Sequence, residues 1–123
     1  MILGIGTDIV EVHRVKKALE NHRFKERVYT PDEINYCEKR GKQAPASYAA
    51  RFSAKEAVLK AFGTGLRKGT LQDIEVLPDK LGCPHVQLGG YYARLAEEKG
   101  VKHVHVSLSH TREYAVAQCV MEG

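Results

Sequence analysis

The spacing of apolar and polar residues changes character several times along this 123-residue chain. Residues 2–12 are rich in Ile and Val with glycines near their start, which predicts a strand. Residues 13–20 then turn to a charged, helix-compatible pattern. Thr30-Pro31-Asp32-Glu33 is a capping box with proline at the first helical position, so a helix is expected from there to about Arg40. Residues 41–45 read as a break. The long helix that follows carries Glu56 and ends at Gly63, with Ala54, Ala57, Val58 and Ala61 on one apolar stripe and Phe52, Glu56 and Lys60 on a neighbouring one. Residues 73–77 and 84–88 look like strands joined by a turn around 79–82, and 91–99 a short helix stopped by Gly100. Residues 103–109 alternate strictly and 114–121 form another apolar strand, so these two should pair as a hairpin. There is no internal repeat and no low-complexity tract. The order predicts one α+β domain spanning 1–123, a largely antiparallel sheet packed with a long central helix.

Composition narrows the partners. With 43% hydrophobic and 28% charged residues the chain suits a single domain with a modest core. A chain this small can leave a cofactor-sized cleft incomplete, which makes a site shared between subunits an expectation. The net charge of +4 and the pI near 9.0 point to acidic partners: a phosphate-rich small molecule, an acidic protein or nucleic acid. No apolar run reaches the roughly 18–20 residues of a membrane span, and the start has no basic region of a signal peptide. A soluble, cytoplasmic protein is therefore expected. Cys37, Cys83 and Cys119 are odd in number and lack any C-x-x-C spacing. They read as buried or inert free thiols, neither a disulfide framework nor a zinc site.

Candidate chemistry concentrates in a few places. On the long helix, Glu56 could ligate a hard cation and Lys60, one turn on, could meet a phosphate; an ordinary i,i+4 ion pair is the alternative. Asp8 follows Gly4-Ile5-Gly6-Thr7 on a strand that otherwise looks core-forming; a carboxylate there needs a cationic neighbour, a metal or a lysine, unless the strand simply ends near it. Gly63-Thr64-Gly65-Leu66-Arg67-Lys68-Gly69 could admit a phosphate to its backbone amides, although a helix C-cap explains the glycines as well, and it is neither a Walker A nor a Rossmann motif. Ser107-Leu108-Ser109-His110-Thr111 lacks a nucleophile elbow, so serine catalysis is discounted in favour of phosphate or ribose contacts. His103 and His105 share a strand face and receive no role. Arg14, Lys16, Lys17, His22, Arg23, Lys25 and Arg27, with Phe24 among them, form either a solvated face or a docking surface for an acidic partner.

Taken together, these residues resemble the bacterial holo-acyl-carrier-protein synthases, small 4′-phosphopantetheinyl transferases, over nearly the whole chain. The resemblance rests on Gly4-Ile5-Gly6-Thr7-Asp8-Ile9-Val10-Glu11, on Arg51-Phe52-Ser53-Ala54-Lys55-Glu56-Ala57 with Lys60-Ala61-Phe62-Gly63-Thr64-Gly65, and on Asp73-Ile74-Glu75-Val76, Gly82-Cys83-Pro84 and Ser107-Leu108-Ser109-His110-Thr111-Arg112-Glu113-Tyr114-Ala115. It implies transfer of the 4′-phosphopantetheine arm of coenzyme A to a serine of apo acyl carrier protein, a step that serves fatty acid biosynthesis, with adenosine 3′,5′-bisphosphate released. By the same resemblance Asp8 and Glu56 hold Mg²⁺, and Lys60 faces the pyrophosphate. Arg51, Gly63, Thr64, Gly65, Pro84, Ser109, His110 and Thr111 join Lys60 in binding coenzyme A. Arg14, Lys17, Arg23, Phe24 and Arg27 belong to a carrier-docking helix. The base that takes the serine proton is Glu56, directly or through a metal-bound water, with Asp8 acting through water as the competing assignment. A homotrimer with sites between subunits is expected. Departures from the family are Ser53, where many relatives have alanine, and Leu71, near which they carry an aromatic residue. A nucleic-acid-binding module and a coenzyme A binder without turnover are the rival classes; no nucleic-acid motif is present, and intact Asp8, Glu56 and Lys60 argue against lost turnover.

Overall fold

The computed structural model describes residues 1–66 and 68–123, so Arg67, counted above in the glycine-rich segment, lies outside the described residues. Strand β1 (Ile2–Glu11) runs antiparallel to β5 (Tyr114–Glu122), which pairs on its other side with β4 (His103–His110), giving the order β1-β5-β4. The expected hairpin is present, with Ser107 opposite Gln118 and His110 opposite Ala115. Strands β2 (Ile74–Pro78) and β3 (Pro84–Leu88) form a second, two-stranded antiparallel sheet rather than extending the first.

Among the described residues five α-helices connect and cover these strands: α1 (Val12–Ala18), α2 (His22–Val28), α3 (Pro31–Glu38), α4 (Ala44–Phe62) and α5 (Gly90–Lys99). The first strand is one residue shorter than its composition suggests, because Val12 turns inward as the first residue of α1 and its N–H donates to the Glu113 carbonyl at 2.8 Å. The basic stretch is two helices, not one. Asn21 divides it by accepting the Arg23 N–H through its side chain, an N-cap that starts α2 afresh. The capping box of Thr30 and Glu33 starts α3 as expected. Pro45 lies inside the first turn of α4, where a missing N–H costs nothing, so the break ends at the 3₁₀ turn Gly41–Gln43. Likewise Asp73 caps the 3₁₀ turn Leu71–Asp73 instead of opening β2, its carboxylate accepting the Thr70 N–H. Gly63 and Gly100 end their helices in the left-handed conformation, at φ 79° and 77°.

Helix α4 is the centre of the molecule. Its Ala57, Val58 and Ala61 pack with Ala117, Cys119 and Met121 of β5 and with Ile74 and Val76 of β2. Gly4 and Gly6 of β1 let the helix lie directly on the strand, since a Cβ at Gly6 would stand 1.9 Å from the Ala57 carbonyl oxygen. A second apolar cluster joins Val15, Val28, Tyr29, Tyr48 and Ala49 under α1 to α3. The two clusters are tied by a fully buried ion pair: Lys55 Nζ lies 2.8 Å from Glu33 Oε1 and also donates to the carbonyls of Leu71 and Ile74. Glu33 in turn accepts the N–H groups of Thr30 and Val76, so both charges are satisfied. Burial pulls the Lys55 ammonium below its usual range while Glu33 supports it.

Candidate active site

On β1 the even-numbered residues face α4, and the glycine pair that admits the helix delivers Asp8 to its side. Asp8 Oδ1 lies 3.3 Å from Lys60 Nζ, which also donates to the Thr7 carbonyl at 3.1 Å. Its other oxygen, Oδ2, accepts a hydrogen bond from Ser53 Oγ at 2.9 Å, and the same hydroxyl reaches the Asp8 carbonyl at 3.0 Å. Glu56, half-buried on the same stretch of α4, completes the group. Burial pushes its carboxyl above the usual range, the Asp8 carboxylate pushes the same way, and Lys60 opposes both. Two acids from different elements thus share one cleft, with the half-exposed Lys60 ammonium paired to Asp8 beside it.

The donor set fits a hard cation. Asp8 and Glu56 offer carboxylate oxygens only, and their mutual repulsion is what a divalent ion would relieve. The cleft, about 330 Å³ in volume, is lined by both acids together with Arg14 of α1, Phe24 of α2 and Phe52 of α4. The Phe24 and Phe52 rings lie 6.0 Å apart. The acidic pair and the leading basic and apolar residues of α1 and α2 therefore border the same opening.

Other residues singled out by the sequence are brought to different places. Arg51 is buried on another face of α4, its Nη1 donating to the carbonyl and hydroxyl of Ser47 and its guanidinium 4.5 Å above the Tyr36 ring. Its Nε is the buried side-chain polar atom without a partner among the described residues. His110 and Thr111 stand at the β4–β5 turn, on a cleft of about 740 Å³ that also takes in His13, Lys16, Lys42 and Arg112. Ser109 points outward from the sheet, opposite Val116. Gly63, Thr64 and Gly65 follow α4, where the Gly65 carbonyl accepts the Tyr92 hydroxyl at 3.2 Å. Pro84 opens β3, opposite Pro78. Arg23 and Arg27 line a third opening with Phe24, while Lys17 is exposed on α1.

The role of Ser53 escaped the reading of the sequence, where it figures only as a polar replacement for alanine. The signal was its position three residues before Glu56, on the face that meets β1. Cys37 and Cys119 are buried free thiols, whereas Cys83 is exposed in the β2–β3 turn.

Comparisons with known proteins show the family. The model of the 4′-phosphopantetheinyl transferase superfamily matches residues 4–119, and the chain belongs to this family. It is 51% identical to the holo-(acyl-carrier-protein) synthase of Ruminiclostridium cellulolyticum, over 98% of this chain and 92% of that one. Its fold matches the holo-(acyl-carrier-protein) synthase of Neisseria meningitidis with a TM-score of 0.90 at 36% identity, covering 100% of both chains. The Bacillus anthracis holo-(acyl-carrier-protein) synthase, solved in complex with CoA (3′,5′-ADP), matches with a TM-score of 0.84 at 40% identity, covering 100% of this chain and 98% of that one.

Proposed function

We propose that this chain catalyses the holo-acyl-carrier-protein synthase reaction, transferring the 4′-phosphopantetheine group of coenzyme A to a serine of apo acyl carrier protein and releasing adenosine 3′,5′-bisphosphate. The observation that carries the reading is that Asp8 and Glu56 share a cleft lined also by Arg14 and Phe24, with Lys60 paired to Asp8 beside it. Asp8 and Glu56 would hold Mg²⁺, which when bound neutralises charge on the pyrophosphate and aligns the attacked phosphorus. Ser53 fixes the Asp8 carboxylate, so one acid is oriented before substrate arrives. Glu56 is placed to take the proton of the carrier serine, with Asp8 acting through water as the alternative. Lys60, half-exposed, stabilises the leaving phosphate. Arg51, Gly63, Thr64, Gly65, Pro84, Ser109, His110 and Thr111 bind coenzyme A with Lys60. Arg14, Lys17, Arg23, Phe24 and Arg27 dock the acidic carrier.

Apart from the buried Arg51 within α4, those coenzyme A residues stand at the end of α4, toward the β4–β5 turn and at the start of β3, which supports a site completed by a second subunit. The outward face of the β1-β5-β4 sheet supports an assembly through that face: Ile5 is 69% and Ile9 63% exposed, flanking the outward Thr7–Gln118 pair. A homotrimer is our reading. No helix among the described residues is long and apolar enough to cross a membrane, and we place the reaction in the cytoplasm.

The test is intact-protein mass spectrometry of an apo acyl carrier protein incubated with the chain, coenzyme A and Mg²⁺, with an EDTA control. A gain of one phosphopantetheine, abolished by EDTA, is the expected result. No gain with several apo carriers, despite demonstrated coenzyme A binding, overturns the proposal in favour of a non-catalytic binder. Native mass spectrometry reads the trimer separately.

A further inference from the structure

The turn that joins β2 to β3 gathers three side chains that the active site does not use. Asp79, Cys83 and His85 place one ligand atom each within 4.8 Å of one another. The backbone holds them there. Asp79 Oδ1 accepts the N–H groups of Leu81 at 2.8 Å and Cys83 at 3.0 Å. The Asp79 N–H donates to the Cys83 carbonyl at 2.8 Å, and Gly82 takes φ 88°, which a side chain would resist. His85 begins beyond the turn, in β3, paired opposite Leu77. Its Nε2 stands 2.9 Å from Asp79 Oδ2.

We propose that this turn is a binding site for a borderline-soft divalent cation, zinc(II) above all, held by Cys83 Sγ, His85 Nε2 and Asp79 Oδ2 with the fourth position left to water. The donor set is the reason. A thiolate and an imidazole select zinc or cobalt and discriminate against magnesium, whereas Asp8 and Glu56 offer oxygen alone. Zinc bonds of about 2.0–2.3 Å to N, O and S place neighbouring ligand atoms a little over 3 Å apart, so the turn needs only small side-chain rotations. The oxygen that braces the turn, Oδ1, is not the one that faces His85, so binding leaves the backbone bonds intact. The pattern D-x₃-C-x-H was passed over because cysteine pairs were the signal sought.

The test is titration of the reduced full chain with cobalt(II), followed by zinc(II) and Mg²⁺. One equivalent of cobalt should give a thiolate-to-metal charge-transfer band in the near ultraviolet. Zinc should remove that band, and a large excess of Mg²⁺ should leave it. Cys83→Ser and His85→Ala should lose the band with an unchanged far-ultraviolet circular dichroism spectrum; the Cys83 thiol is exposed and donates to the Pro84 carbonyl at 3.9 Å. Glu56→Gln should keep it. Zinc should also raise the Tm of the parent and not of Cys83→Ser. Absence of the band, its survival in Cys83→Ser, or its removal by Mg²⁺ would each overturn the proposal.

Discussion

Replacing Gly6 by alanine tests the link between packing and chemistry most directly. The added Cβ would meet the Ala57 carbonyl oxygen at 1.9 Å and the Ala61 nitrogen at 2.8 Å, both backbone atoms that cannot rotate away. Cβ atoms are essentially never found closer than 3.0 Å to a heavy atom, so strand and helix must separate by at least the difference, just over an ångström. Overpacking of a core costs about 1–3 kcal/mol, and a rigid backbone neighbour puts this case at the upper end, near 3 kcal/mol. For a domain of this size that is a fall of roughly 10 °C in Tm. The same movement carries Asp8, two residues on, away from Ser53, Glu56 and Lys60, and a misplacement of about 1 Å at a reacting group can cost on the order of 10²-fold in rate. Urea denaturation and steady-state transfer to apo carrier protein read the two effects. Gly41→Ala is the control: its φ of 59° strains a side chain by about 1–2 kcal/mol, but among the described residues no atom beyond its chain neighbours lies within 4 Å of the added Cβ, so stability falls with no clash at β1. A Gly6→Ala protein with parental Tm and kcat would refute the claim that these glycines set the distance between the two acids.

Glu56→Gln should abolish transfer while raising Tm at neutral pH, since it removes a partly buried charge beside Asp8. The sign follows from its raised carboxyl: the native state holds the Glu56 proton more tightly than the unfolded chain, so this contribution is full below the usual 4.5 and is lost as pH rises through the raised value. Melts from pH 4 upward should show that decline in the parent and a flatter profile in the variant; identical profiles would contradict the assignment. Lys55→Met should cost about 3 kcal/mol in urea titrations, at the lower end for a broken buried pair because Glu33 keeps the Thr30 and Val76 donors. A loss well under about 1 kcal/mol would show that the pair is not closed as described. Arg14→Glu should raise KM for the acidic carrier on the order of tenfold with KM for coenzyme A unchanged, and equal losses for both substrates would remove Arg14 from the docking surface.

Local signals made the element ends legible. The box at Thr30 and the glycines at 63 and 100 announced one helix start and two helix ends, and the strict alternation of 103–109 gave the hairpin with β5 its facing residues. The second helix of the basic run was not legible, because its seven residues carry only Phe24 and Val28 as apolar markers and its start depends on one side-chain bond from Asn21. Nor could spacing show that Ser53 reaches across 45 positions to Asp8, or that Lys55 reaches 22 to Glu33. Asp8, Glu56 and Lys60 were visible as residue types in suggestive places; their meeting depends on the glycines of β1, whose effect is three-dimensional.

Helix α4 shows why its charges divide into two kinds. It is enclosed by the sheet on one side and by α1, α3 and β2 on others, so most of its residues are buried and it has no solvated face on which an ordinary ion pair would sit. A charge on such a helix must either be satisfied inside or emerge at an opening. Lys55 takes the first course, with three acceptors, and Arg51 takes it largely, against Ser47 and Tyr36. Glu56 and Lys60, one turn apart, take the second, and emerge where the strand supplies Asp8. Adjacent positions 55 and 56 thus do opposite work: the buried lysine anchors α4 to α3 and β2, and that anchoring holds the next residue, a carboxylate that water could otherwise draw outward, at the rim of the cleft. Loss of the Lys55–Glu33 pair should therefore reach the chemistry as well as the stability, lowering kcat in a protein that still folds.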